Sequence, residues 1–87
     1  MIILYTRPNC TYCEQAKAWL TENNLPYKTV DITENDLARE MLKEDGHKTV
    51  PQVYLYGELF VEGGFTGLSK QDPEVLREQI ELRGLAV

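Results

Sequence analysis

The sequence predicts an α/β protein built on a four-stranded mixed sheet flanked by three helices. Short apolar runs of strand length alternate with stretches whose apolar residues recur at helical spacing, in the order strand, helix, strand, helix, strand, strand, helix. The last two runs flank Gly57-Glu58, which marks a hairpin and hence an antiparallel pair. The first two are joined by a helix, as a parallel pair must be. The only two cysteines, Cys10 and Cys13, lie where the first strand gives way to the first helix.

Ile2 to Tyr5 is a continuous apolar run and fits a strand buried on both faces. Arg7-Pro8-Asn9 breaks it. Ala16, Trp19 and Leu20 then repeat at helical spacing from about Thr11 to Glu22, and Asn23-Asn24-Leu25-Pro26 ends that helix. Tyr27 to Ile32 alternates imperfectly and reads as the second strand. Thr33, with Asp36 in the first turn, is the expected N-cap of a second helix, whose stripe of Leu37, Met41 and Leu42 ends near Gly46. Gln52 to Tyr56 and Leu59 to Glu62 form the hairpin strands. Asp72-Pro73 is a helix start, with Asp as N-cap and Pro at the first helical position; Val75, Leu76 and Ile80 make the apolar face and Gly84 stops it. The first strand-helix-strand unit is expected to cross over in the right-handed sense. Trp19 and the helical stripes belong to the core, and the charged run Arg39 to Asp45 to a solvated helix face.

At 87 residues, 43% hydrophobic and 26% charged, the chain is expected to fold as one domain, residues 1–87, with a modest core. No repeat, low-complexity segment or linker interrupts it. A net charge of -5 argues against binding a nucleic-acid backbone, which calls for clustered basic residues. The apolar run from Met1 to Tyr5 is too short for a signal sequence or a membrane span and lacks a basic leader, so the cytoplasm is the expected compartment.

Cys10-Thr11-Tyr12-Cys13 carries the chemistry. Two thiols at i and i+3 at a helix start lie on one face within disulfide reach, which suits a dithiol that closes and reopens. Such chemistry runs in two steps: one thiolate attacks a substrate disulfide, and the second thiol resolves the mixed disulfide. Cys10 is the expected nucleophile, because unpaired amides and the helix dipole at the first turn stabilise a thiolate, with activated cysteines titrating at about 3.5 to 7.5 against about 8.5 for a free thiol. Cys13, one turn in, is the expected resolving thiol. A zinc site is the competing reading. Zinc wants four ligands, and beyond the cysteines the chain offers His47 and carboxylates but no second cysteine pair, so redox chemistry is preferred and no metal ligand is assigned. A purely structural disulfide closing so small a loop would constrain the unfolded chain little.

Arg7 is placed to add positive charge near Cys10 or to meet a carboxylate of a ligand. Thr49-Val50-Pro51 opens the third strand, where proline is tolerated; a cis bond there would leave the Val50 amide and carbonyl free to pair with an extended peptide. Gly63-Gly64 suggests positive φ or close backbone approach, with amides beyond it that could bind a carboxylate, although a bare Gly-Gly is more often an ordinary turn.

Taken together, Cys10-Thr11-Tyr12-Cys13 after an N-terminal strand, Thr49-Val50-Pro51-Gln52-Val53, and Gly63-Gly64-Phe65-Thr66 resemble the glutaredoxins in order and spacing, over about Ile2 to Leu82. The resemblance implies a thioredoxin-like fold, a cis Val50-Pro51 bond, and glutathione as reducing cosubstrate held extended beside Cys10, with no tightly bound cofactor. It further implies that Arg7 is the basic residue preceding the motif, that Tyr12 lines the groove, that the Val50 backbone beside Pro51 pairs with the glutathione cysteine, that Lys48 meets the glycine carboxylate, and that Gly64, Phe65 and Thr66 receive the γ-glutamyl end. Three departures stand out. Thr11 replaces a common proline, Gly67 replaces a common acid, and the stretch from Pro51 to Gly63 is a residue or two longer than usual, with the excess expected in the turn near Gly57. Asp72 is an alternative source of the missing anion.

The expected activity is that of a monomeric glutathione-dependent dithiol-disulfide oxidoreductase acting on protein disulfides and glutathione mixed disulfides, with electron supply to ribonucleotide reductase as a candidate role. The alternatives are a redoxin reduced by thioredoxin reductase, and a carrier in which two chains and two glutathiones hold an iron-sulfur cluster.

Overall fold

The computed structural model describes residues 1–86. Its elements run β1 (Ile2–Thr6), α1 (Thr11–Glu22), β2 (Tyr27–Asp31), α2 (Asp36–Glu44), β3 (Gln52–Leu55), β4 (Glu58–Val61), α3 (Gly64–Ser69) and α4 (Pro73–Gly84). The sheet has the order β2-β1-β3-β4, with β2 parallel to β1 and the other pairs antiparallel. This is the mixed four-stranded sheet expected from the sequence, in the thioredoxin-like arrangement.

Alternation along the strands sorts the helices between the two faces. Ile2 and Leu4 of β1 and Val53 of β3 cluster with Ala16 and Leu20 of α1, Leu68 of α3 and Leu76 of α4, so these three helices share one face. Tyr54, next along β3, turns the other way. Its hydroxyl donates to Asp45 just beyond α2 at 2.5 Å, and the rings of Tyr5 and His47 meet it edge-on at 5.3 and 5.9 Å between centroids. The second face is thus closed by the end of α2 and the loop leading to β3. Arg77 of α4 donates to the Asn23 carbonyl at 2.8 Å and ties α4 to the end of α1.

Four local features differ from the sequence expectation, each for an identifiable reason. A short helix, α3, is added to the three expected; its six residues include two glycines and show no helical repeat. The N-cap of α2 is Asn35, whose Oδ1 accepts from the Ala38 amide at 2.9 Å, whereas Thr33 spends its hydroxyl and amide on the Asp31 carboxylate at 2.6 and 2.8 Å. The hairpin turn is a tight two-residue one, Tyr56 and Gly57 at φ 51 and 81. Beyond that turn β4 carries a bulge at Phe60, since Tyr54 faces Leu59 while Val53 faces Val61. Gly84 is the last residue of α4 rather than the residue beyond it.

Burial first, and then the hydrogen bond to Asp45, hold the Tyr54 hydroxyl well above its ordinary pKa of 10.0. Below pH 10.0 the resulting stability is fully present. As the pH rises past that value the unfolded chain loses the proton while the folded chain keeps it, so stability falls. Tyr54→Phe is expected to cost about 1 to 2 kcal/mol at neutral pH and to make the alkaline decline shallower, as measured by urea unfolding at about pH 7 and about pH 10.5.

Candidate active site

Cys10 caps α1 with its sulfur. Its backbone is extended, at φ -114 and ψ 104, its carbonyl accepts the first helical hydrogen bond from the Glu14 amide at 3.2 Å, and its Sγ accepts from the Cys13 amide at 3.1 Å. The place usually taken by Ser or Asp is thus filled by a sulfur, held at the positive end of the helix dipole. Cys10 and Cys13 are joined in a disulfide, with Cα atoms 5.2 Å apart. Cys10 is 8% exposed and Cys13 1%, so Cys13 is the more buried of the two and an approaching sulfur meets Cys10 first.

The loop before β3 closes over this pair. Cys10 Sγ lies 3.9 Å from the Val50 carbonyl oxygen, and the Val50–Pro51 bond is cis, as the family resemblance implies. A carbonyl oxygen disfavours a nearby thiolate, so the amide of Cys13 is what favours that form. The loop is pinned from beneath by Gln52, 5% exposed, whose Nε2 donates to the Thr49 carbonyl at 2.9 Å. Gln52 has a positioning part that the sequence reading did not assign. Its signal was a polar residue in an otherwise apolar strand.

The opposite wall is α3. Gly63 and Gly64 both have positive φ, 87 and 58, and a Cβ on Gly64 would sit 3.1 Å from the Pro51 carbonyl oxygen, so close approach is what this glycine provides. The amides of Gly64, Phe65 and Thr66 fall in the first turn, where no helical acceptor reaches them. Tyr12 of α1 stacks on Phe65 with centroids 6.4 Å apart and rings 27° from parallel. Position 67 is more restrictive still. A Cβ on Gly67 would fall 1.7 Å from the Glu62 carbonyl oxygen. What reads in sequence as a missing acid is a point where the backbone leaves no room for any side chain.

Between these walls runs a groove of about 970 Å³. Arg7, Tyr12, Lys48, Val50, Pro51, Gly64, Phe65 and Thr66, expected at the site from separate segments, all line it. The cysteines do not; Cys10 adjoins the groove through Val50. The sequence reading missed Arg39 and Lys43 on α2, His47, and Glu62 at the end of β4, which also line it. Arg39 and Lys43 are engaged with Asp36 and Glu40 of their own helix at 2.9 and 3.6 Å, whereas among the described residues Arg7 and Lys48 make no ion pair. Asp72 is spent as the N-cap of α4, its Oδ1 accepting from the Glu74 amide at 2.9 Å. His47 faces Tyr54, and among the described residues no group of three or more His, Cys, Asp or Glu side chains is placed to hold a metal ion.

A disulfide-forming cysteine pair capping the first helix of this four-stranded sheet defines a redox protein of the thioredoxin-like class, with the fold of a dithiol-disulfide oxidoreductase. Within that class the chain belongs to the glutaredoxin family, whose family model, described as "Glutaredoxin", matches residues 2–60. Among curated relatives, Glutaredoxin 1 of Rickettsia felis is 39% identical over 57 residues, covering 62% of this chain and 56% of that protein. The global transcriptional regulator Spx of Listeria innocua is 46% identical over 44 residues, covering 51% of this chain and 34% of that protein. The match thus spans about a third to a little over half of these relatives' lengths. Among solved structures, the thioredoxin-like protein BC3987 is 29% identical, with a TM-score of 0.63 over 90% of this chain and 97% of that one. The glutaredoxin-like NrdH-redoxin of Escherichia coli shares the fold at 21% identity, with a TM-score of 0.67 over 88% and 91%.

The contact at position 67 yields a direct test. Gly67→Ala must push apart α3 and the end of β4, and is expected to destabilise the protein by about 2 kcal/mol or more, read as a lower midpoint in chemical denaturation.

Proposed function

We propose that this protein is a glutathione-dependent dithiol-disulfide oxidoreductase that reduces glutathione mixed disulfides and protein disulfides. The observation that carries this reading is a sulfur-capped helix beside a groove whose free cations, Arg7 and Lys48, suit an anionic thiol peptide. Cys10 attacks as a thiolate. Its sulfur bonds to the glutathionyl sulfur of the substrate, the old S–S bond breaks, and the substrate leaves as a thiolate that takes a proton. A second glutathione thiolate attacks the Cys10–glutathione disulfide, releasing glutathione disulfide and restoring the Cys10 thiolate. With a protein disulfide, Cys13 loses its proton and attacks the mixed disulfide at Cys10, giving the Cys10–Cys13 bond and a reduced substrate; two glutathiones then reopen that bond.

In this reading the groove holds glutathione extended, with the Val50 backbone beside its cysteine, Arg7 and Lys48 toward its glycine carboxylate, and Tyr12, Gly64, Phe65 and Thr66 around its γ-glutamyl end. Protein partners follow from the chemistry: disulfide-bearing proteins, with ribonucleotide reductase as one candidate. Action as a monomer in a reducing compartment such as the cytoplasm belongs to the same proposal. A second reading is favoured by Gly67, which can carry no acid: the protein is reduced by thioredoxin reductase instead, in keeping with the thioredoxin-like activity profile attributed to the NrdH-redoxin of Escherichia coli.

Coupled NADPH assays separate the two, with turnover expected with glutathione and glutathione reductase. Turnover with thioredoxin reductase alone would transfer the assignment to the second reading. The thiols divide the work in a testable way. Cys10→Ser is expected to abolish both reactions. Cys13→Ser should spare reduction of glutathione mixed disulfides, where free glutathione resolves, and impair reduction of protein disulfides. Equal loss of the mixed-disulfide activity in both variants would contradict these roles. Alkylation of reduced Cys10 against pH is expected to reach its plateau below the range of a free cysteine, because the Cys13 amide donates to its sulfur.

A further inference from the structure

Two buried side chains on the same face of β3 reach back to the loop that precedes it. Gln52 holds the far end of that loop at Thr49, and Tyr54, 1% exposed, holds the near end, its hydroxyl donating to the Asp45 carboxylate at 2.5 Å. Between these points the chain supplies His47 and Lys48 to the groove, and Val50 and Pro51 follow. Neither Tyr54 nor Asp45 lines it. The near end of the loop is built into α2: Asp45 is the C-cap, and the Gly46 and His47 amides donate to the Lys43 and Leu42 carbonyls at 2.9 and 2.8 Å, with Gly46 at φ 86. Helix end and loop therefore form one unit. That unit is tied to the sheet sparingly, since α2 buries only Ala38 and Leu42, and among the described residues Asp45 is the one side chain of α2 or its caps that hydrogen-bonds to a strand. The tie is also fixed in direction, because the Tyr54 ring is packed against the rings of Tyr5 and His47.

We propose that Tyr54 and Asp45 are positioning residues for ligand binding: from outside the groove, their hydrogen bond fixes where α2 and the loop stand against β3, and so where Lys48 and the Val50 backbone meet a glutathionyl ligand. The proposal rests on the glutathione reading above and adds to it a remote pair on which affinity depends. Losing the bond frees the loop at one end only, because Gln52 still holds Thr49 and the Cys13 amide still donates to the Cys10 sulfur. Binding weakens while the chemistry at the sulfur stays as it is. Charge alone works in the opposite direction. Removing the Asp45 carboxylate, three residues before Lys48, leaves the loop more positive and would strengthen its hold on an anion. The sign of the change therefore separates position from charge.

The test is steady-state reduction of a glutathionylated thiol, coupled through glutathione and glutathione reductase, at a temperature where each variant is folded. Tyr54→Phe keeps the ring and loses the hydroxyl. It is expected to raise the KM for that substrate about threefold to tenfold with kcat held within about twofold, and to leave the pH profile of Cys10 alkylation unchanged. Asp45→Ala should raise KM by a similar factor and the combined variant no further, whereas Asp45→Asn, which loses the charge but keeps an acceptor, should stay near the wild-type value. If Tyr54→Phe does not fold, the two Asp45 variants carry the same comparison, since Asp45 is exposed. A KM unchanged in Tyr54→Phe, a KM lowered in Asp45→Ala, or single effects that add in the combined variant overturns the proposal and leaves glutathione as the reductant. So does a fall in kcat with KM unchanged, the mark of lost folded protein alone. Failure of the wild-type protein to turn over the substrate, with activity retained through thioredoxin reductase, overturns the glutathione reading and this proposal with it.

Discussion

The chemistry of this protein depends on one hydrogen bond, that from the Cys13 amide to the Cys10 sulfur. It joins a structural need to a chemical one. The first amides of α1 have no partner within the helix, and a cap must supply an acceptor. Ser or Asp would serve stability better, since a thiolate or disulfide sulfur is a diffuse acceptor compared with oxygen. The sulfur is accepted here because the same donor that ends the helix also favours the charged form of a nucleophile. Where α1 begins therefore decides which cysteine is the more accessible and which is enclosed. Cys10 stands outside the first turn and Cys13 inside it, packed out of reach at 1% exposure.

Around that bond the fold brings three backbone segments to close range, and each contact is bought with a residue choice. The loop before β3 sits 3.9 Å from the sulfur and is held by the buried Gln52 amide. The start of α3 approaches Pro51 so closely that Gly64 has little room for a side chain, and the end of β4 approaches Gly67 so closely that there is none. The polar groups this wall offers are consequently main-chain amides at the start of α3 and the side chains that flank the contacts, Glu62 before them and Thr66 between them. A groove walled by backbone is rigid, which favours a ligand held in one extended form and limits how far the site can be altered by substituting side chains.

The architecture was legible in the sequence where period and punctuation agree. The strand-helix-strand start, the hairpin and the Asp72-Pro73 start of α4 are each marked by both. Legibility failed where a choice depended on geometry across the chain. Thr33 and Asn35 are both good caps, and only the competing bond from Thr33 to Asp31 decides for Asn35. The hairpin was marked by Gly57, but its register was not: the positive φ values of Tyr56 and Gly57 make a two-residue turn, and the pairing then bulges at Phe60. The groove-lining residues at the loops and at α3 were found through motif order, because motifs mark places where backbone conformation is demanding. Arg39, Lys43 and Glu62 were missed because they sit within an ordinary helix or just past a strand and join the groove only through packing.

The charge of the protein and the charge of its groove have opposite signs, and the length scales decide which governs binding. At physiological salt the chain's overall -5 is screened beyond about 8 Å, so it slows the approach of an anionic ligand only weakly. At contact, the cations of the groove act with less solvent between them and the ligand. They are not equivalent. Arg39 and Lys43 are held by Asp36 and Glu40 on the surface of α2, which nearly cancels their charge for anything more than a few ångströms away. Arg7 and Lys48 carry no such partner and belong to the two loops that frame the cysteine pair, one before α1 and one before β3. Arg7 and Lys48 therefore place positive charge without an ion-pair partner on the loops that frame the cysteine pair. Because both residues are exposed, added salt weakens the pull they exert on an anion while leaving the buried cap of α1 unaffected.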